Sequence, residues 1–344
     1  MIDLRSDTVT LPSNEMKSFL LNAPLGDDVY GEDPSINELE IKIAKLFGKG
    51  KALFVPSGTM ANLISVLTHC QRSDEVLLGH KSHIFKYEAG GISAFGGIHS
   101  HQLKNNEDGT INLEDIQDNI RDNYDDHYPR TALVCLENTH NLCYGAPINN
   151  DYVKNVKSIL NNTRIKLHID GARIFNASIA LNENVKNLAK YADSITCCLS
   201  KGLSSPIGSL IISDNAFIYK ARKLRKALGG GMRQAGILAA CGLFSINNMI
   251  NRLKEDHENA KELAIQLNNL EEIKINLNNV HTNLIFFDLK SKDITCENFI
   301  KELLNYDIKI DYKGNHRFRM VTHYGFEKKH INIVIQTLKK IFNK

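Results

Sequence analysis

Apolar runs of strand length recur along the chain at 52–55, 75–78, 132–136, 166–169, 194–199 and 209–212, and helical patterns fill the segments between them. Val153, Val156, Ile159 and Leu160, for example, repeat at three and four and so mark one face of a helix. Strands that are apolar throughout are covered on both sides. Strands alternating with helices then predict an α/β fold, a mostly parallel central sheet with helices on both faces. Past residue 246 the texture changes to a charged helix over about 247–270, short strands at 273–277, 283–288 and 317–321, and a closing helix at 327–342. The expected division is an N-terminal arm over 1–14, a large α/β domain over 15–245 and a small C-terminal α+β domain over 246–344. No Gly/Ser/Pro linker marks the second boundary, which points to a continuous helix there.

The bulk numbers exclude several classes of function. Lys and Arg total 42 against 39 Asp and Glu, and the basic residues are scattered apart from a cluster at 220–226, so no nucleic-acid surface is expected. The longest apolar stretch, 236–246, is too short to cross a bilayer, and no membrane role is expected. The first residues lack a signal-peptide core, and the seven cysteines form no Cys-x-x-Cys pair. They read as reduced thiols of a soluble cytoplasmic protein. The thirteen histidines show no ligand spacing with a nearby acid, so no catalytic metal is expected.

Two strand ends carry the chemistry. His168-Ile-Asp-Gly-Ala-Arg173 ends one apolar strand in a carboxylate, and Cys198-Leu-Ser-Lys-Gly202 follows the next with an amine. In an open parallel sheet both lie at the edge where ligands gather. The pair suits pyridoxal 5'-phosphate: Lys201 can form the Schiff base, and Asp170 can keep the pyridine nitrogen protonated so that the ring accepts electrons. Ser57, Gly58 and Thr59 sit between a strand and an apolar helix, where free N–H groups and the helix dipole favour a phosphate. Alone, such a turn is as well explained by simple capping; beside Asp170 and Lys201 it gains weight.

Arg173 and Arg319, with Ser6, could grip an α-carboxylate, which suits the flat guanidinium fork. Arg317 reads instead as a surface ion-pair member. His83 is either a ring-stacking residue or a satisfied structural histidine, and His127 either a substrate contact or an exposed loop residue. Gly229-Gly-Gly-Met-Arg-Gln234, on residues alone, reads as a flexible loop beside a solvated basic helix.

Taken together, Ile2-Asp-Leu-Arg-Ser-Asp-Thr-Val-Thr10, Gly26-Asp-Asp-Val-Tyr-Gly-Glu-Asp-Pro34, Leu53-Phe-Val-Pro-Ser-Gly-Thr59, Leu136-Glu-Asn-Thr-His-Asn141, His168-Ile-Asp-Gly-Ala-Arg173, Leu199-Ser-Lys-Gly202 and Leu228-Gly-Gly-Gly-Met-Arg-Gln-Ala-Gly236 resemble the L-threonine aldolases. The resemblance runs from residue 1 to Arg319-Met-Val-Thr-His323. It implies the pyridoxal-phosphate-dependent transferase-like fold (fold type I) and cleavage of L-threonine or L-allo-threonine to glycine and acetaldehyde. It further implies that Lys201 carries the cofactor, Asp170 pairs with the ring nitrogen, and Ser57, Gly58 and Thr59 hold the phosphate. By the same resemblance His83 stacks on the ring, and Ser6, Arg173 and Arg319 bind the amino-acid carboxylate. His127 lies near the β-hydroxyl and Tyr30 at the active site, while Lys226 and Arg233 reach the phosphate region of a neighbouring subunit. A homotetramer with shared sites is the implied assembly. Lys86 and Leu142-Cys-Tyr144 depart from the family pattern and leave the diastereomer preference open. A β-eliminating lyase or aminotransferase on the same scaffold is the rival enzyme. The retained Ser6, Arg173 and Arg319 argue against a non-catalytic binder.

Overall fold

The computed structural model describes residues 1–291 and 293–343. Its strands are β1 (Ile2–Asp3), β2 (Lys51–Val55), β3 (Glu75–Gly79), β4 (His99–Leu103), β5 (Thr131–Glu137), β6 (Lys166–Asp170), β7 (Ser194–Cys198), β8 (Ser209–Ser213), β9 (Ile273–Lys274), β10 (Leu284–Leu289), β11 (Ile308–Lys309), β12 (Asp311–Gly314) and β13 (Arg317–Val321). Seven of them form the main sheet in the order β2-β8-β7-β6-β5-β3-β4. β8 runs antiparallel to both of its neighbours, and every other adjacent pair is parallel. β2 therefore points the same way as β3 to β7.

The buried strands carry the apolar runs with a polar residue at one or both ends: every residue of β3, β5, β7 and β8 is buried. β4, His-Ser-His-Gln-Leu, ends the sheet and is mostly open to solvent. Its polar composition suits an edge strand and hides it from hydrophobic patterning. One core joins the sheet to helices such as Pro34–Phe47 and Gly236–Asn248 through Ile36, Leu39, Ile43, Leu167, Ile169, Leu210 and Leu243.

A second core gathers Leu4 with side chains from Ala260 to Ile341. It lies on a four-stranded antiparallel sheet in the order β12-β13-β10-β9, closed by the helices Leu253–Leu267 and Lys328–Phe342. The continuous helix expected near residue 247 is interrupted. One helix ends at Asn248, and the next starts at Leu253, whose N–H bonds to the carbonyl of Ile250 in a tight turn. Asn247 and Asn248 are weak helix formers, whose side chains compete for the backbone.

The arm packs within its own chain. β1 pairs in parallel with β11, and the carbonyl of Leu4 accepts from the N–H of Val321 on β13. Among the described residues no helix is long and apolar enough to cross a membrane.

Candidate active site

The carboxyl ends of the parallel strands share one edge of the main sheet, which is where chain reversals leave a crevice. β2 leads into Ser57, which caps the helix Gly58–His69 by accepting from the N–H of Met60 at 3.2 Å. No acidic residue occupies the first turn of that helix, so its exposed N–H groups are free to face an anion. A Cβ at Gly58 would stand 2.8 Å from the Cys198 sulfur, so this position accepts only glycine without a shift. Gly230, in the triple-glycine loop, runs as closely past Met60.

Asp170 ends β6 and is 2 % exposed. Its Oδ2 accepts from the Asn62 amide at 2.8 Å and its Oδ1 from the N–H of Ala172 at 3.1 Å. Asn62 spends its second amide hydrogen on Glu88 Oε1, also at 2.8 Å, and the same oxygen lies 2.8 Å from Nδ1 of His83. Burial works against charge on His83, but Glu88 and Asp170 outweigh it, and the imidazole pKa is raised. Burial also raises the Glu88 carboxyl, helped by the nearby Asp170 charge. Among the described residues, His83, Glu88 and Asp170 are the one group whose ligand atoms lie close enough to hold a metal ion. Asn62 already bridges its two carboxylates.

Lys201 follows β7 in a half-buried turn, within electrostatic reach of His83 and of Asp7 from the arm. Asp7 is fully buried and grips Arg173, accepting from Nε and Nη2 at 2.7 Å each. Burial alone would raise the Asp7 carboxyl, but Arg173, Lys201 and Arg319 hold it far below the usual carboxylate range. Arg319 comes from β13 and meets Arg173 at Asn141, whose Oδ1 accepts from Arg319 at 2.7 Å and from Arg173 at 3.5 Å. Arg319 also bonds the carbonyl of Arg5 and pairs with Asp311, yet its Nε is buried without a partner. Two guanidinium groups that meet on one amide, one of them with an unused donor, have the chemistry to bind a carboxylate. Ser6 sits beside them, capping the turn Asp7–Val9. Arg317, by contrast, pairs with Asp288 at 2.8 Å on the outer side.

With this edge assembled, comparison with known proteins is decisive. The family model of the beta-eliminating lyases matches residues 3–290. Low-specificity L-threonine aldolase 1 of Arabidopsis thaliana is 48 % identical over 326 residues, covering 94 % of this chain and 91 % of its own. The chain belongs to the threonine aldolase family. The low specificity L-threonine aldolase of Escherichia coli (strain K12) is 46 % identical over 267 residues, covering 78 % of this chain and 79 % of its own. Among solved structures, the threonine aldolase of Leishmania major has the same fold, with a TM-score of 0.82 at 20 % identity and 99 % of both chains covered. The fold expected from the sequence is therefore the observed one.

Within one chain of this threonine aldolase family member, the site residues fall into two sets. Asp170, His83, Lys201, Ser6, Arg173 and Arg319 are joined by hydrogen bonds or lie within electrostatic reach of one another, near the sheet edge that also bears the turn of Ser57, Gly58 and Thr59. Four others are exposed on the surface of the single chain. His127 is on a loop, its side chain 91 % exposed and bonded to Asp125. Tyr30 is 75 % exposed, and Arg233 pairs with Asp27 and lies over the Tyr30 ring. Lys226 is exposed at the end of the helix Asn215–Ala227.

Sequence reading passed over Asp7, Asn62, Glu88 and Glu137. Glu137 ends β5 and accepts from the N–H of His83 at 2.7 Å and that of Asn141 at 2.8 Å, fixing one residue of each binding group. Its place at a strand end, like that of Asp170, was the available signal.

Proposed function

We propose that this protein cleaves the Cα–Cβ bond of L-threonine or L-allo-threonine by a retro-aldol reaction with pyridoxal 5'-phosphate as cofactor, releasing acetaldehyde and glycine. The observation that carries this reading is the meeting of Asp170, Lys201 and a buried arginine pair at one sheet edge. The residues fit the cofactor. Lys201 is the amine that would hold it covalently, the start of the helix Gly58–His69 would take its phosphate, and Asp170 would face its ring nitrogen. When bound, the cofactor supplies an electron sink for the carbanion left at Cα.

The chain's own residues then choose the bond. The unused Nε of Arg319, with Arg173 and Ser6, would hold the substrate carboxylate and so fix which Cα bond is presented for cleavage. His83 points its Nδ1 at Glu88, which leaves Nε2 as the atom that can hold a proton near the β-hydroxyl. His127, Tyr30, Lys226 and Arg233, exposed in one chain, would serve the site of a neighbouring copy, as expected of a homotetramer. The described cysteines are all free thiols, and six of the seven are buried, which accords with a reducing, cytoplasmic setting.

The test is a product assay on both threonine diastereomers with purified, cofactor-loaded protein. Acetaldehyde and glycine in equal amounts are expected. Release of pyruvate or another keto acid from amino acids, with no acetaldehyde from threonine, would refute the reading.

A further inference from the structure

Glu88 lies two residues beyond the short helix His83–Lys86 and is 5 % exposed. Burying a carboxylate here is costly. Its Oε1 accepts from Asn62 and faces Nδ1 of His83, both at 2.8 Å, while Oε2 is buried without a partner. A carboxylate only accepts, so the proton of this pair sits on Nδ1, and Nε2 is left as the acceptor of a neutral ring. The Asn62 amide is spent on Glu88 and Asp170 alike, and its carbonyl oxygen accepts from Thr196 at 3.2 Å, which fixes the amide's orientation.

We propose that Glu88 is a positioning residue that sets the tautomer and orientation of His83 and, through Asn62, ties that ring to the carboxylate of Asp170. The inference rests on the reading of His83 as a residue of the reaction. It assigns two carboxylates at one site to two tasks: Asp170 to the cofactor nitrogen, Glu88 to the imidazole of His83. The groups facing His83 are Glu88 and Asp170 as negative charges, Lys201 as a positive one, the Tyr87 ring at 5.5 Å, and Glu137 through the backbone N–H. Of these, Glu88 alone bonds the ring itself.

The experiment follows deuterium exchange at the imidazole C2 carbon of the His83 peptide by mass spectrometry across pH. It is run with and without cofactor, beside steady-state kinetics on threonine. In Glu88→Gln the His83 midpoint should fall by about one pH unit or more, because the facing negative charge is gone. The kcat should drop about tenfold or more with KM within about twofold. Glu88→Asp keeps the charge one methylene further off and should lie between, and it carries the test if the Gln variant fails a circular-dichroism check of folding. An unmoved midpoint, or unchanged kcat, overturns the assignment. Failure of the wild-type protein to bind cofactor or cleave threonine would instead refute the proposed function, and the titration of the cofactor-free protein would still decide the role of Glu88.

Discussion

Replacing Asp7 by Ala strips Arg173 of two hydrogen bonds of 2.7 Å at a place where the two side chains are 0 % and 5 % exposed. Breaking one side of a buried pair leaves an uncompensated charge, which costs about 3–5 kcal/mol. Against a typical total of about 5–15 kcal/mol this is a large fraction. Urea unfolding followed by far-UV circular dichroism should show it as a lower midpoint. The double variant Asp7→Leu/Arg173→Met replaces both charges by apolar groups of similar size and should recover to within about 2 kcal/mol of the parent. Its KM for threonine should nevertheless rise, since one of the two cations proposed to hold the substrate carboxylate is lost. The sign with pH follows from the lowered Asp7 pKa. The pair's contribution is complete above the unfolded carboxyl value near about 3.9 and is lost only as the pH falls through the much lower folded one. The penalty in Asp7→Ala should therefore be flat from about pH 5 to 8. A loss below about 1 kcal/mol, or a double variant as weak as the single one, would show that the pair does not carry this energy.

Lys201→Ala should abolish both turnover and the visible absorption of bound cofactor; colour retained after dialysis would move the covalent role elsewhere. Gly58→Ala puts a Cβ 2.8 Å from the Cys198 sulfur and displaces the helix start, so the cofactor dissociation constant from reconstitution titrations should rise about tenfold. An unchanged constant would separate that turn from the phosphate. Burial lowers the pKa of His69 to about 3 and those of His168 and His257 to about 4. The unfolded chain then binds more protons between these values and about 6.5, and stability should fall as the pH drops from 7 to 5. Asp256, raised by burial to about 6, acts in the opposite sense, as do His83, Glu88 and Glu40, whose pKa values are also raised, but the three histidines carry the larger shifts. His257→Asn should narrow the difference between urea midpoints at the two pH values, and an equal difference would exclude His257 as a contributor.

What the sequence made legible was local. Asp170 and Lys201 announce themselves because each closes a run of apolar residues, and strand ends on one sheet edge are neighbours whatever the loops between them do. The direction of β8 was not legible, since its Ser-Leu-Ile-Ile-Ser pattern is that of any buried strand. β4 was hidden by its polar side chains. Asn62 and Asp170 are 108 residues apart, and Asp7 and Arg173 are 166 apart. No periodicity couples positions so distant, and Asn62 and Glu88 look in sequence like ordinary polar residues of helix and turn. The exposure of His127, Tyr30, Lys226 and Arg233 is likewise a property of three-dimensional placement.

The first seven residues make backbone bonds to β11 and β13 on one side, while Asp7 clasps Arg173 beneath the main sheet edge on the other. The same strap offers the carbonyl of Arg5 to Arg319. The spacing between the two guanidinium groups is thus gauged by a short ribbon of chain rather than by the contact of the two cores alone. Trimming that ribbon would free the two guanidinium groups to drift apart while leaving Lys201 and the turn of Ser57 to Thr59 where they are.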